Sequence, residues 1–198
     1  MTMRDCLHRP DAEDASDDRA LPLAFMRYDT ASDGDQMLAC CARKLQEAGY
    51  RVSGVVQNNR QRPGRRACDM FLENLTTGES LCISADRGKD ARGCRLDHAA
   101  LAQATLWAEQ ALTLKPQILV LNKFGKEEAS GRGFFPVMAE ALALDIPVLS
   151  GVSALNFAAA QAITGGGAMQ IEPTEHAVES WLQSIMRMRG DSPGRAVA

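Results

Sequence analysis

The groups best placed to do chemistry lie between Asn122 and Gly133, where the chain reads NKFGKEEASGRG. Lys123, Lys126 and Arg132 bring cations, while Gly125, Gly131 and Gly133 let the backbone come close to a ligand or adopt φ > 0. An apolar strand, Gln117 to Leu121, leads into this loop and a helix from Phe134 to Leu144 leaves it. Unpaired N–H groups at a helix start and the helix dipole add to such cations, so the pattern suits a small anion. Glu127 and Glu128 are the carboxylates that could serve as base or metal ligand if phosphoryl transfer occurs here. The competing reading is a solvated loop whose Lys–Glu pairs contribute little.

Two further loops lie at the same level. Asp29 to Gln36 (DTASDGDQ) has the place and length of a phosphate-binding GxxxxGK[ST] loop, but only Gly34 fits it. Asp29 stands for the first glycine, Asp35 for the lysine and Gln36 for the Mg-binding hydroxyl. Such a loop aims backbone N–H groups and one lysine at phosphates, so its acidic residues oppose ordinary triphosphate hydrolysis. Gly34 is kept as a ligand-side residue, with a plain capped turn as the alternative. Asp86 to Asp97 is also basic and glycine-bearing; Arg95 joins the anion-binding candidates, and Cys94 lies between Arg92 and Arg95, where a thiolate would be favoured. No His is placed to pair with Cys94 as a nucleophile. Asn122-Lys123 matches the first letters of the guanine-reading NKxD element of GTPases, yet Gly125 replaces the base-reading Asp. Arg60, Arg62, Arg65 and Arg66 fall in a segment, Asn58 to Arg66, read as a loop able to dock an acidic partner.

The elements that must hold these loops follow from hydrophobic spacing. Leu21 to Tyr28 is a short apolar strand, Asp33 to Ala48 a helix stopped by Gly49, and Arg51 to Gln57 a second strand. Cys68 to Leu75 and Ser80 to Ser84 form a β-hairpin around Thr76-Thr77-Gly78-Glu79, inserted over about 67–84. A helix from Asp97 to Leu114 follows. Beyond Phe134 to Leu144 come a strand Ile146 to Ser150, a helix Ser153 to Ile163, a short strand Ala168 to Ile171 and a helix Thr174 to Met188. Continuous apolar strands between amphipathic helices predict a mostly parallel sheet covered on both faces. Residues 1–20 read as a disordered acidic tail, 21–189 as one α/β domain and 190–198 as a flexible tail.

Composition narrows the function. The 198 residues carry a formal charge of −3, and ten aromatics (Trp 2, Tyr 2, Phe 6) offer few stacking platforms, so a general nucleic-acid binder is excluded. Apolar runs such as Ile118 to Leu121 fall far short of the roughly 20 residues a membrane span requires. The acid-rich start lacks a signal-peptide core, so a cytoplasmic protein is expected. The cysteines form no CxxC pair and no metal site is expected.

The stretch VLNKFGKEEASGRGFFPVMAEALALDIPVLSGV, with GCRLD and LQEAGYRVSGVVQ, resembles the bacterial family known as domain of unknown function 2478 over nearly all of residues 21–185. The NKFGKEEA–GRG signature carries the likeness. Members often accompany molybdate-uptake or molybdenum-enzyme genes, which implies a molybdenum link and a partner from that pathway. The layout is more distantly similar to small P-loop nucleoside-triphosphatases and to the adaptor protein of molybdopterin-guanine-dinucleotide synthesis. This implies a three-layer P-loop-like α/β fold. In those proteins the strand before the second loop ends in an acidic pair; Asn122 and Lys123 stand there instead, so Mg²⁺ lacks its usual ligands. The expectation is a P-loop-like protein with degenerate Walker motifs that binds a nucleotide, a pterin phosphate, molybdate or another small anion. A nucleoside-triphosphatase or phosphotransferase using non-standard residues, and a regulatory or scaffold protein, stay open as alternatives, as does a homo-oligomer.

Overall fold

The computed structural model describes residues 21–29, 33–61, 63, 68–85 and 95–190. The acidic segment 1–20, Arg62, Arg65, Arg66, Cys94 and the segment 191–198 lie outside the described residues. Strands β1 (Leu23–Tyr28), β2 (Val52–Arg60), β3 (Asp69–Asn74), β4 (Ser80–Cys82), β5 (Ile118–Phe124), β6 (Val148–Ser153) and β7 (Met169–Ile171) form one sheet. Its order is β4-β3-β2-β5-β6-β1-β7. The pairs β2–β5, β5–β6, β6–β1 and β1–β7 are parallel, whereas the hairpin strands β3 and β4 extend the β2 edge antiparallel.

Among the described residues six helices complete the fold: α1 (Gly34–Glu47), α2 (His98–Leu112), α3 (Lys126–Ala129), α4 (Phe135–Ala143), α5 (Phe157–Ile163) and α6 (Glu175–Arg189). Their starts are written in the sequence. The carboxylate of Asp33 accepts from Gln36 N–H, that of Asp97 from Ala99 and Ala100 N–H, and the Thr174 hydroxyl from Ala177 N–H. Each satisfies donors that the first helical turn leaves without a partner. Pro136 sits in the first turn of α4, where its missing N–H costs nothing.

The strands present apolar side chains to both sides, so two core layers form. On one side Leu38, Cys41 and Leu45 of α1 and Val178, Trp181, Leu182 and Ile185 of α6 cover Ala24, Met26, Val56, Ile118, Val120 and Leu149. On the other, Leu101, Ala104 and Ala108 of α2 and Val137, Met138 and Ala141 of α4 cover Leu23, Phe25, Val55, Leu119, Leu121 and Phe124. The result is a three-layer α/β fold, as the hydrophobic spacing predicts.

Two segments read as loops are not loops. Asn58, Asn59 and Arg60 continue β2 and pair with Phe71, Met70 and Asp69 of β3. Polar residues hold a strand here because antiparallel pairing satisfies their backbone, and the Arg60 guanidinium lies 4.2 Å from the Phe71 ring centre. Likewise Asn122, Lys123 and Phe124 belong to β5, and Lys126–Ala129 forms the single turn α3. The helix expected from Ser153 is shorter and begins at Phe157.

Candidate ligand-binding site at the carboxyl edge

The parallel strands β1, β2, β5 and β6 all end at one edge, the place where open α/β sheets take ligands. An irregularity in β5 decides what that edge displays. Leu121 pairs with Ser150, but Phe124 pairs with Val152, so β5 carries one residue more than β6 across this step. Leu119, Leu121 and Phe124 nevertheless all face the α2/α4 core layer. Strict alternation would hide one of Asn122 and Lys123 beneath that layer; the bulge frees both toward the edge. Ser150 anchors it, its hydroxyl donating to the Asn122 carbonyl at 2.7 Å.

The freed side chains join a polar cluster. Lys123 Nζ lies 2.8 Å from Asp35 Oδ2, and Gln57 Nε2 and Asn59 Nδ2 donate to the same oxygen at 2.8 and 3.2 Å. Gln57 Nε2 also donates to Asn59 Oδ1 at 2.8 Å, and Asn122 Nδ2 to Gln57 Oε1 at 3.4 Å. Asp35, Gln57 and Asn122 are all buried. Asp35 occupies the phosphate-loop lysine position and Lys123 the position of an acidic strand end, so the charges are exchanged between the two elements. Lys123 is held by its carboxylate partner, yet its side chain is 38% exposed and keeps further N–H donors to offer.

Among the described residues, the start of α1 is filled by groups of the chain itself. Asp33 already caps the helix start. Tyr28 lies across Gly34 so closely that a Cβ there would sit 2.4 Å from its ring, and one on Gly151 would sit 3.2 Å away. Gly34 is therefore needed to admit Tyr28. Burial, followed by the charges of Asp35 and Asp33, holds the Tyr28 phenol well above its usual range. Residues 30–32 lie outside the described residues.

The second loop also holds a carboxylate of its own. Glu128 is buried; its Oε2 accepts from Gly125 N–H at 2.9 Å and its Oε1 from Phe134 N–H at 3.1 Å. Burial raises its pKa, partly offset by these backbone donors. Gly133, at φ +57°, has no space for a Cβ, which would meet Glu128 Oε1 at 2.2 Å. Gly133, one of the glycines that suggested room for an anion, thus makes room for Glu128, whereas Gly131 borders open space. Glu127 pairs with Arg132 at 2.9 Å, which holds its carboxyl below the usual range. This pair opens with His98 on a cleft of about 480 Å³ against α2. Lys126 and Gly131 are exposed. Arg95 pairs with Asp69 at 2.8 Å and donates to the Cys68 carbonyl, beside the hairpin.

Of the residues singled out from sequence, the structure brings Asn122 and Lys123 into the cluster and sets Gly34 beside it. Arg132 and Arg95 have partners elsewhere. Asp35, Gln57, Asn59 and Tyr28 were missed as site members. Asp35 did stand out as an acidic residue where a lysine is usual, but only pairing across the sheet shows what it holds. A cavity of about 820 Å³ lies at the opposite edge among Arg51, Lys115, Asp145 and Arg189, away from the cluster.

The family described as "Protein of unknown function (DUF2478)" matches residues 23–181. A protein named "Molybdenum import ATP-binding protein ModC 2", from Bradyrhizobium diazoefficiens, is 34% identical over 173 residues, covering 85% of this chain and 19% of that protein. The chain thus spans about a fifth of that relative's length. No solved structure matches it.

Proposed function

The chain belongs to the DUF2478 family, and from that premise we propose a binding domain for a nucleotide or another small anion, built on a P-loop-like layout without its hydrolytic parts. The observation that carries this reading is Lys123, positioned by Asp35 at the carboxyl edge with its side chain partly open to solvent. Asp35, Gln57 and Asn59 fix it, so little side-chain freedom is lost when a ligand arrives. Lys126, exposed on the next turn, supplies a second cation. The relative's printed name supports a molybdenum setting, in which this domain works beside an import ATPase.

The test is thermal stabilisation by ATP, GTP, phosphate, molybdate and tungstate. A ligand at a hundred times its Kd adds about 2.7 kcal/mol, a shift of several degrees for a chain of this size. We expect at least one to stabilise the wild type and Lys123→Met to lose the shift. No response to any of them would sink the reading.

A phosphotransferase reading finds less support, because both Glu128 oxygens accept backbone N–H groups and Glu127 is paired with Arg132. Purified protein with Mg²⁺ and ATP or GTP should release no phosphate above background. Turnover abolished by Glu128→Gln would reverse that ranking. The docking reading of the arginine segment rests on Arg62, Arg65 and Arg66, since Arg60 stacks on Phe71.

A further inference from the structure

The hydrogen-bond arithmetic of the cluster names a narrower ligand class. Three donors converge on Asp35 Oδ2, while Asp35 Oδ1 is buried with no partner among the described residues. The orientations of the neighbouring amides follow from that carboxylate. It can only accept, so Gln57 must turn its amino group to it. Gln57 Oε1 then faces Asn122, which must offer its own amino group in return. Asn122 Oδ1 is thereby left pointing away, buried and equally without a partner. Two acceptors remain empty in side chains more than nine-tenths buried, where an unmade hydrogen bond is costly. Lys123 supplies a donor beside them.

We propose that these two acceptors receive the adjacent N–H groups of an amino-lactam heterocycle, the edge shared by guanine and pterins, while Lys123 Nζ donates to the neighbouring carbonyl. This rests on the site proposed above and specifies what it reads. Molybdate and tungstate have only acceptors at neutral pH and leave both oxygens empty. An adenine edge offers one amino group beside a ring acceptor, and a uracil edge one N–H between two carbonyls. Only the 2-amino-oxo edge brings two adjacent donors and one acceptor. Tyr28, whose ring packs on Gly34 and Gly151, lines a cavity of about 560 Å³ with Arg27, Met37 and Gln170.

The experiment is calorimetric titration of the full chain with guanosine, inosine, adenosine and a neutral pterin, alongside ATP, GTP and molybdate. Inosine differs from guanosine only by the 2-amino group, so the comparison needs no variant that has to fold. Guanosine should bind at least about tenfold tighter than inosine or adenosine, the loss expected for one hydrogen bond to a charged acceptor. Pterin binding at guanosine's affinity would show that the shared edge is what is read; guanosine alone would show that the ribose is read as well, and both support the proposal. Asn122→Leu, titrated at a temperature at which it is folded, should lose a similar factor. Equal binding of guanosine, inosine and adenosine overturns this inference while leaving the site. Binding of ATP or molybdate with no response to either amino-lactam compound does the same. No binding of any compound overturns both. A structure soaked in guanosine that shows only waters on Asp35 Oδ1 and Asn122 Oδ1 also overturns it.

Discussion

At the scale of single residues, the candidate loops are organised by carboxylates of the chain itself. Glu128 is the clearest case, and two measurements probe it. Gly133→Ala forces a Cβ into Glu128 Oε1 at a backbone φ of +57°, so it should cost about 2 kcal/mol or more in chemical denaturation. A variant as stable as the wild type would show that Glu128 is not seated there. The second measurement is pH dependence. Because burial raises the Glu128 pKa, folding favours its neutral form. Its contribution is complete below the unfolded value of about 4.3 and is lost as pH rises through the higher folded value. The melting temperature of the wild type relative to Glu128→Gln should therefore be highest near pH 4 and fall toward pH 8; a rising difference would contradict the assignment. Tyr28 and Gly34 form a second pair: Gly34→Ala should be strongly destabilising alone, and much of the loss should disappear when Tyr28→Ala removes the ring it strikes.

At the scale of elements, the extra residue in β5 does what no periodic strand could, releasing two consecutive side chains to one edge. Deleting Lys123 restores regular alternation while keeping Leu121 and Phe124 on the same core face. That variant should still unfold cooperatively but lose ligand-induced stabilisation. Deleting Val120 instead turns the end of the strand over, moving Leu121 and Phe124 out of the α2/α4 layer to the opposite face, and should abolish cooperative unfolding. Similar thermal melts for the two deletions would show that the bulge does not set the orientation. The hairpin was legible from its alternation and its Thr-Thr-Gly turn. The last residues of β2 and β5 were not, because Asn58, Asn59, Asn122 and Lys123 have the composition of a loop, and only pairing with β3 and β6 makes them strand.

At the scale of the molecule, the sheet depends on being covered from both sides. Val178, Trp181, Leu182, Ile185 and Met186 of α6 are buried against one face. At about 1.5–3 kcal/mol each their burial matches the whole stability of a typical domain, about 5–15 kcal/mol. A chain ended at Pro173 should therefore show no cooperative unfolding transition by near-UV circular dichroism; a native-like transition would mean the α1 layer suffices. The sequence by itself determined the alternation of strands and helices, the capping residues Asp33, Asp97 and Thr174, and the choice of Asn122 and Lys123 as candidates. These are local matters of side-chain period, turn chemistry and charge, each readable within a short window. Only the tertiary structure decided what Lys123 touches. Its partner Asp35 is 88 residues away, and Gln57 comes from a strand between them in sequence. Such contacts depend on strand order and on one bulge, which no local window contains. For the same reason the glycines and cations of the second loop read as room for an external anion. Folding instead seats Glu128 there, because a buried carboxylate must find its donors within the chain.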